Sequence, residues 1–220
     1  MTLPAPSEPA NCPICGETYF PERLMSTHAF GSPDLDLRPP PDEGRLLSYM
    51  VECCEHCGYA CRSFDDVVPE GAVAAMATET WEAIGSRTGY PPLALTFKRA
   101  EWIYRYSQEP VEAIWMALRA IWVCDDTASA LKSLLRLEAA ALLEELNAAG
   151  GTFVSQDGGN EALLADLYRR SGQWETASNW ADRGLSKASH PVVQAILRFQ
   201  KDLIASHDTE VHQVAEAVPS

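Results

Sequence analysis

From about residue 71 onward, apolar positions recur at three- and four-residue intervals in a background of Ala, Leu, Glu and Arg, and proline becomes sparse. That period predicts amphipathic helices, which we place at 70–86, 92–107, 110–124, 127–148, 159–171, 174–187 and 190–206. Gly89-Tyr90-Pro91-Pro92 separates the first two, and Glu109-Pro110 puts a proline at the start of the third, where its missing N–H costs nothing. Gly150-Gly151 and Gly158-Gly159 bracket a loop with room for a short extended piece at Thr152–Ser155.

Residues 11–70 follow another pattern. They are rich in Cys, Pro, Gly and Asp, with short stretches such as Leu46–Val51 that read as strands behind the turn-forming Pro39-Pro40-Pro41 and Asp42-Glu43-Gly44. Residues 1–10, with three prolines and no period, and residues 208–220 read as flexible tails. The expected fold is mainly α: a small Cys-rich β module over 11–70, then a helical domain over 71–207.

The helical part carries a weak repeat. Tyr104 is followed by Ala113, Ala117 and Ala120; Tyr168, 64 positions on, is followed at the same spacings by Ala177, Ala181 and Gly184. Gly172 sits four residues after Tyr168, where a helical hairpin would turn. A tyrosine packing over small residues of the next helix is the tetratricopeptide pattern, so the expectation is an α-α superhelix of roughly three tetratricopeptide-like hairpins. A helical bundle with chance Tyr–Ala spacing is the alternative.

Composition narrows the function classes. The chain of 220 residues is 46% hydrophobic and 22% charged, which is the balance of a globular protein. Its formal charge is −14, and phosphate backbones and anionic membranes both demand the opposite sign. No apolar run approaches the length of a membrane span, and the first residues lack a basic, apolar leader, so a cytoplasmic protein is expected.

Six of the seven cysteines lie at Cys12, Cys15, Cys53, Cys54, Cys57 and Cys61, with Cys124 alone. In a reducing compartment that clustering points to metal. Cys12-Pro13-Ile14-Cys15-Gly16 and Cys54-Glu55-His56-Cys57-Gly58 are two CxxCG turns separated by 38 residues. Each presents two sulfurs on one side, with backbone N–H groups free to bond them. Together Cys12, Cys15, Cys54 and Cys57 make a four-cysteine site for one structural Zn2+, a zinc-ribbon-like module. Cys53 is a competing ligand for Cys54, Cys61 a filler or spare ligand, and Cys124 a small core residue. His56 inside the turn is expected to point away, and the lone His28 to be structural or superficial.

Four thiolates fill a tetrahedral zinc and leave no place for water or substrate. No His-x-Glu deaminase pattern, His-Glu-x-x-His, phosphate loop, nucleophile elbow or dinucleotide fingerprint is present, and His207 and His212 have the wrong spacing for a metalloprotease. Nothing nominates a catalytic group. Zinc ribbons often bind nucleic acid, but residues 1–70 hold four arginines, no lysine and twelve acidic residues, a net charge of −8, and a zinc ion held by four thiolates adds two more negative charges.

At these residues the chain resembles an uncharacterised bacterial family, domain of unknown function 2225. The likeness is carried by Cys12-Pro-Ile-Cys15-Gly16, by Pro33-Asp34-Leu35-Asp36-Leu37-Arg38 and by Cys54-x-x-Cys57-Gly58-Tyr59-Ala60. Two helical signatures join them, Arg99-Ala100-Glu101-Trp102-Ile103-Tyr104-Arg105 and Asp166-Leu167-Tyr168-Arg169-Arg170-Ser171-Gly172. The chain departs from the family pattern at Glu55, where proline is usual, at the added Cys53, and at the charge of Glu101. The resemblance implies a zinc-ribbon-like module followed by tetratricopeptide-like helices, and no reaction.

Asp34, Asp36 and Arg38 alternate along an extended stretch and would share one face. They are read either as a contact for a partner or as a solvated acidic turn with a local Asp–Arg pair, the second being the expectation. Arg105, Arg169 and Arg170 after the packing tyrosines are read as a solvated helix face, with an acidic-peptide groove as the alternative. The expected role is a non-enzymatic scaffold or adaptor that binds another protein or itself, Trp102, Trp115 and Trp122 being placed in the core. A metal- or thiol-responsive regulator is the second reading, and an enzyme with a dispersed site between the modules the third.

Overall fold

A computed structural model of the chain describes residues 3–4, 9–21, 24–26, 30–40 and 46–218. The protein is mainly helical, with a small region of short strands ahead of packed helical hairpins. Three two-stranded antiparallel pairs are formed by β1 (Leu3–Pro4) with β4 (Leu24–Ser26), β2 (Ala10–Asn11) with β3 (Thr18–Tyr19), and β5 (Glu52–Cys53) with β6 (Ala60–Cys61). Nine α-helices follow among the described residues: α1 (Ala72–Met76), α2 (Glu79–Ser86), α3 (Pro92–Tyr106), α4 (Pro110–Asp126), α5 (Lys132–Ala148), α6 (Gly159–Arg170), α7 (Trp174–Lys187), α8 (Pro191–Ala205) and α9 (Val214–Ala217). None is long and apolar enough to cross a membrane.

The chain divides into two compact units. The first comprises Met1–Phe30 and Pro41–Leu131, the second Gly31–Pro40 and Lys132–Ser220. The sequence places its boundary at residue 70, so the division differs, and the packing of the first unit gives the reason. Helix α3 lies against β6, the hydroxyl of Tyr104 accepts a hydrogen bond from Arg62 N at 3.0 Å, and the Arg99 guanidinium lies under Gly58. The Cys-rich strands therefore share a body with the first helices.

The core of the first unit is the α3–α4 hairpin. Phe97, Ala100 and Ile103 of α3 and Ala113, Ile114, Met116, Leu118, Ile121, Trp122 and Cys124 of α4 are all buried. A large apolar side chain buried this way contributes about 1.5–3 kcal/mol. Trp122 is fully enclosed, whereas Trp102 and Trp115 are half-buried, and Trp102 donates its indole N–H to Ala75 O.

In the second unit α6 packs against α5, α7 and α8. Gly184 of α7 lets the helices approach closely, since a Cβ there would meet Leu197 Cδ2 of α8 at 2.8 Å and Glu161 Cβ of α6 at 3.0 Å. Ala177 and Ala181 are likewise buried in α7.

Four differences from the sequence expectations have local causes. The helix expected over 70–86 is broken, because Thr78 accepts from Trp81 N and caps α2 while its hydroxyl donates to Ala75 O. The start of α5 falls at Lys132, after Ala128 adopts a left-handed φ of 50°. Leu46–Val51 is not a strand but a 3-10 turn, Leu47–Met50, ahead of β5; Leu46 and Leu47 are both buried, which successive residues of a strand cannot be on one face. The extended piece expected over Thr152–Ser155 is absent: residues 153–156 form bends, because the Asn160 carboxamide oxygen accepts from both Phe153 N and Val154 N.

Asp208–Val218 is pinned rather than frayed. The Arg169 guanidinium donates to Asp208 O at 2.7 Å and Glu210 O at 3.0 Å. Asp34 bridges Gln213 in antiparallel fashion, Leu35 N donates to His212 O at 2.9 Å and Val214 N to Pro33 O at 2.9 Å. The tail expected over residues 1–10 falls largely outside the described residues.

Candidate metal centre

The two CxxCG segments fold as equivalent hairpin ends. Cys12–Glu17 joins β2 to β3, and Cys54–Tyr59 joins β5 to β6. In the first, Cys12 N donates to Glu17 O at 2.8 Å and Gly16 N to Cys12 O at 2.9 Å; in the second, Cys54 N donates to Tyr59 O at 2.9 Å and Gly58 N to Cys54 O at 2.8 Å. Gly16 and Gly58 share a φ of 76°, a conformation that costs a residue with a Cβ about 1–2 kcal/mol. The glycine after each CxxC is what lets the turn close.

The hairpin ends face each other. Cys12 Sγ lies 3.7 Å from Cys57 Sγ, and Cys15 Sγ lies 3.6 Å from Cys54 Sγ. All four sulfurs fall within 4.8 Å of one another, the one such metal-capable group among the described residues. Tetrahedral bonds of about 2.3 Å to sulfur require sulfurs about 3.8 Å apart, so the spacing fits a single four-coordinate ion.

The backbone favours thiolate at Cys54. Burial alone would raise the Cys54 thiol, but N–H groups of Cys57 and His56 and the neighbouring Cys15 sulfur bring it down to about 7. Burial keeps the Cys12 and Cys57 thiols raised, and a metal cation must displace their protons to bind there. Cys12 and Cys54 are buried, Cys57 is half-buried and Cys15 is exposed.

The structure separates the competing thiols. Cys53 Sγ lies 3.8 Å from Cys54 O and 3.9 Å from Gly58 O, outside the four-sulfur group. It occupies the position that Asn11 holds in the first hairpin. Cys61 is enclosed beside Tyr59, and burial lifts its thiol to about 12. Cys124 is buried in α4 and His56 is exposed. His28 lies outside the described residues.

Glu52 fastens the two hairpins together. Its Oε2 accepts from Tyr19 OH at 2.8 Å and from Phe64 N, and Phe64 contacts the rings of both Tyr19 and Tyr59.

A second constellation lies within the second unit. Asp36, expected in a solvated turn, is 1% exposed, and its Oδ2 accepts from Arg170 Nη1 at 2.7 Å. Its Oδ1 accepts from Arg38 N at 3.2 Å. Asp166 Oδ1 accepts from Arg169 Nη2 at 2.8 Å, and Arg136 is buried nearby, its charge acting on Asp36. Arg169 and Arg170 are thus interior, neither a solvated face nor the lining of an open groove. Leu35 and Asp36 of the turn are buried, Asp34 N donates to Arg38 O at 2.9 Å across it, and Leu37 is held at φ 68° between them.

The sequence did carry a signal for this cluster. Leu163, Asp166, Leu167 and Arg170 follow the spacing of an apolar stripe, so two charges stand where the core-facing side should be apolar. Comparison with family models, with curated proteins and with solved structures finds no match to this chain.

Proposed function

We propose that this chain is a non-enzymatic scaffold that binds another protein, or a second copy of itself, and is held in shape by one structural Zn2+ on Cys12, Cys15, Cys54 and Cys57. The observation that carries the reading is the four-sulfur group at tetrahedral spacing. Zinc bound by four thiolates has no open position for water or substrate. Its binding energy, about 10–16 kcal/mol in small zinc modules, would hold together hairpins whose strands are two residues long. The charge of −14 favours a protein partner over nucleic acid or an anionic membrane. Membership of the domain of unknown function 2225 family and a cytoplasmic location belong to the same proposal.

Elemental analysis of the purified chain should give one zinc per chain. Chelation should collapse the amide resonances of β2, β3, β5 and β6, and light scattering with cross-linking should reveal a stoichiometric assembly. A chain without metal that keeps those resonances would overturn the zinc assignment, and a monomer that cross-links to nothing would overturn the scaffold assignment.

One observation favours a second reading, a thiol-responsive regulator. Cys53 stands half-buried directly behind Cys54, and ligand Cys15 is exposed to an oxidant. Peroxide, reduced to water, would convert two thiolates to a disulfide and release the metal. Zinc release under mild peroxide supports this reading; retention while free thiols oxidise removes it.

A further inference from the structure

The segment Asp208–Val218 crosses the Pro33–Arg38 loop and borders an apolar pocket of about 260 Å3, whose walls include Leu35, Ala162, Leu163, Val193, Ile196 and Val214. It is attached by main-chain hydrogen bonds to the loop, by Ala215 N donating to Ser32 Oγ at 2.9 Å and by the Arg169 contacts, and it is tied within itself by one side chain whose contacts depend on protonation. His212 Nδ1 lies 2.8 Å from Glu216 Oε2, and Nε2 lies 3.1 Å from Asp208 Oδ2. A neutral imidazole has a single N–H. With both ring nitrogens against carboxylate oxygens, only the imidazolium satisfies both; removing its proton sets a lone pair against a carboxylate.

We propose that this segment is a proton-operated strap. Doubly protonated, His212 clips Asp208 and Glu216 together and fixes the folded shape in which the strap's main chain meets the loop beside the pocket. Loss of the imidazolium proton to solvent opens it.

The surroundings of His212 make the clip specific. From α8, the uncharged ring of Phe199 meets the imidazole edge to face, with centroids 5.5 Å apart. From α6, Arg169 approaches Asp208 Oδ1 at 3.7 Å and fixes its carbonyl. From the loop come Asp34, with Asp36 and Arg38 beside it. Within the strap the charged neighbours are Asp208 and Glu216, and His207 stands at its start against the Trp174 ring of α7.

The two proton-binding groups act in the same direction. Burial opposes the His212 charge, but Glu216 and Asp208 outweigh it and raise its pKa above the ordinary 6.5. Burial, helped by the charge of Asp36, raises Asp34 to about 6. A group whose pKa is raised in the folded state gives stability that is present in acid and lost as pH rises through that value. Asp34 therefore withdraws support near pH 6 and His212 above its ordinary range. The main-chain N–H of Glu210 lowers Asp208, and that of Gln213 lowers Glu216, so both clip carboxylates stay charged at pH 6. Opening would free Leu35 and Val214 and widen the pocket. The strap thus couples pH to the exposure of an apolar surface.

Amide exchange in the full chain tests this. The Leu35 and Val214 amides, bonded to His212 O and Pro33 O, report the strap, and Leu164 and Leu167 in α6 serve as references. Between pH 6 and pH 9, intrinsic rates removed, the strap amides should lose protection, by one decade for each unit by which His212 is raised, while the references hold. His212→Gln should sit at the open level already at pH 6 and lack the alkaline step. The ring resonances of the unmodified protein should titrate above the ordinary histidine value. Strap protection that is flat from pH 6 to 9, or equal in His212→Gln, overturns the proposal; so does an imidazole titrating at or below the ordinary value, which needs no variant.

Discussion

Removing either partner of the Asp36–Arg170 pair is expected to be among the most damaging changes to the second unit. At an effective dielectric near 20, two unit charges about 4 Å apart attract by about 4 kcal/mol. Stripping water from each ion costs several kcal/mol, so the intact pair is close to break-even. Truncating one partner removes the attraction and leaves the other ion desolvated. Asp36 is 1% exposed and Arg170 8%, so Arg170→Met and Asp36→Leu should each cost about 3–5 kcal/mol. The double variant Asp36→Leu/Arg170→Met removes both charges and loses mainly the bond from Arg38 N, about 1 kcal/mol.

Urea unfolding followed by circular dichroism, with exchange at the Leu35 amide as a local readout, gives the double-mutant cycle. At a slope of about 1–3 kcal/mol/M, each single variant should move the midpoint by more than about 1 M, and the double variant by much less. The pH dependence separates the two singles. Burial raises the Asp36 carboxyl and the Arg170 charge opposes that rise, so in Arg170→Met the carboxyl moves further up. The folded state then gains on acidification, and the deficit of Arg170→Met shrinks as pH falls, whereas the deficit of Asp36→Leu, which has no carboxyl, has no such recovery. Singles that each cost under about 1 kcal/mol, the range of exposed ion pairs, would refute the reasoning and restore the solvated turn.

Three further predictions address the first unit. Gly16→Ala and Gly58→Ala share the same backbone penalty, but a Cβ at Gly16 meets nothing within 4 Å while one at Gly58 meets Arg99 Nη1 at 3.1 Å; Gly58→Ala should speed metal loss to a chromogenic chelator more than Gly16→Ala, and equal rates would remove the role given to Arg99. Cys54→Ser should abolish stoichiometric zinc in elemental analysis while Cys53→Ser leaves it intact, because only Cys54 belongs to the four-sulfur group. Trp122→Ala, which empties a fully enclosed site in α4, should cost about 3–5 kcal/mol in urea unfolding, and a cost under about 1 kcal/mol would contradict its burial.

The helices and the metal-capable turns were legible in the sequence because each is specified locally. A stripe at helical spacing needs only its own residues, and prolines at the first positions of α3, α4 and α8 mark where they begin. A CxxCG turn holds its two sulfurs, its N–H donors and its left-handed glycine within five positions; even the preference for Cys54 over Cys53 follows from matching the two turns. The ionic cluster is different in kind. Asp36 and Arg170 stand 134 positions apart, and until they meet, an acidic turn and an arginine-bearing helix each look solvated. Arg170 interrupts an apolar stripe and Asp36 belongs to a motif of no evident local use, yet both read as solvated along the sequence; each is the other's explanation.

The strap was illegible for a further reason. Arg169 holds it through the carbonyls of Asp208 and Glu210, and every residue type carries a carbonyl, so no pattern of side chains along residues 208–218 announces the contact. The polar composition that reads as fraying is compatible with order here because a buried guanidinium supplies the donors. Its counter-charge is Asp166 on the same helix face, so Arg169 reaches the strap carbonyls with its charge already compensated. The same two residues therefore keep α6 neutral inside and give it a donor pointed outward at a neighbouring segment, which is the arrangement a protein needs if that segment is to close and open without leaving an uncompensated charge behind.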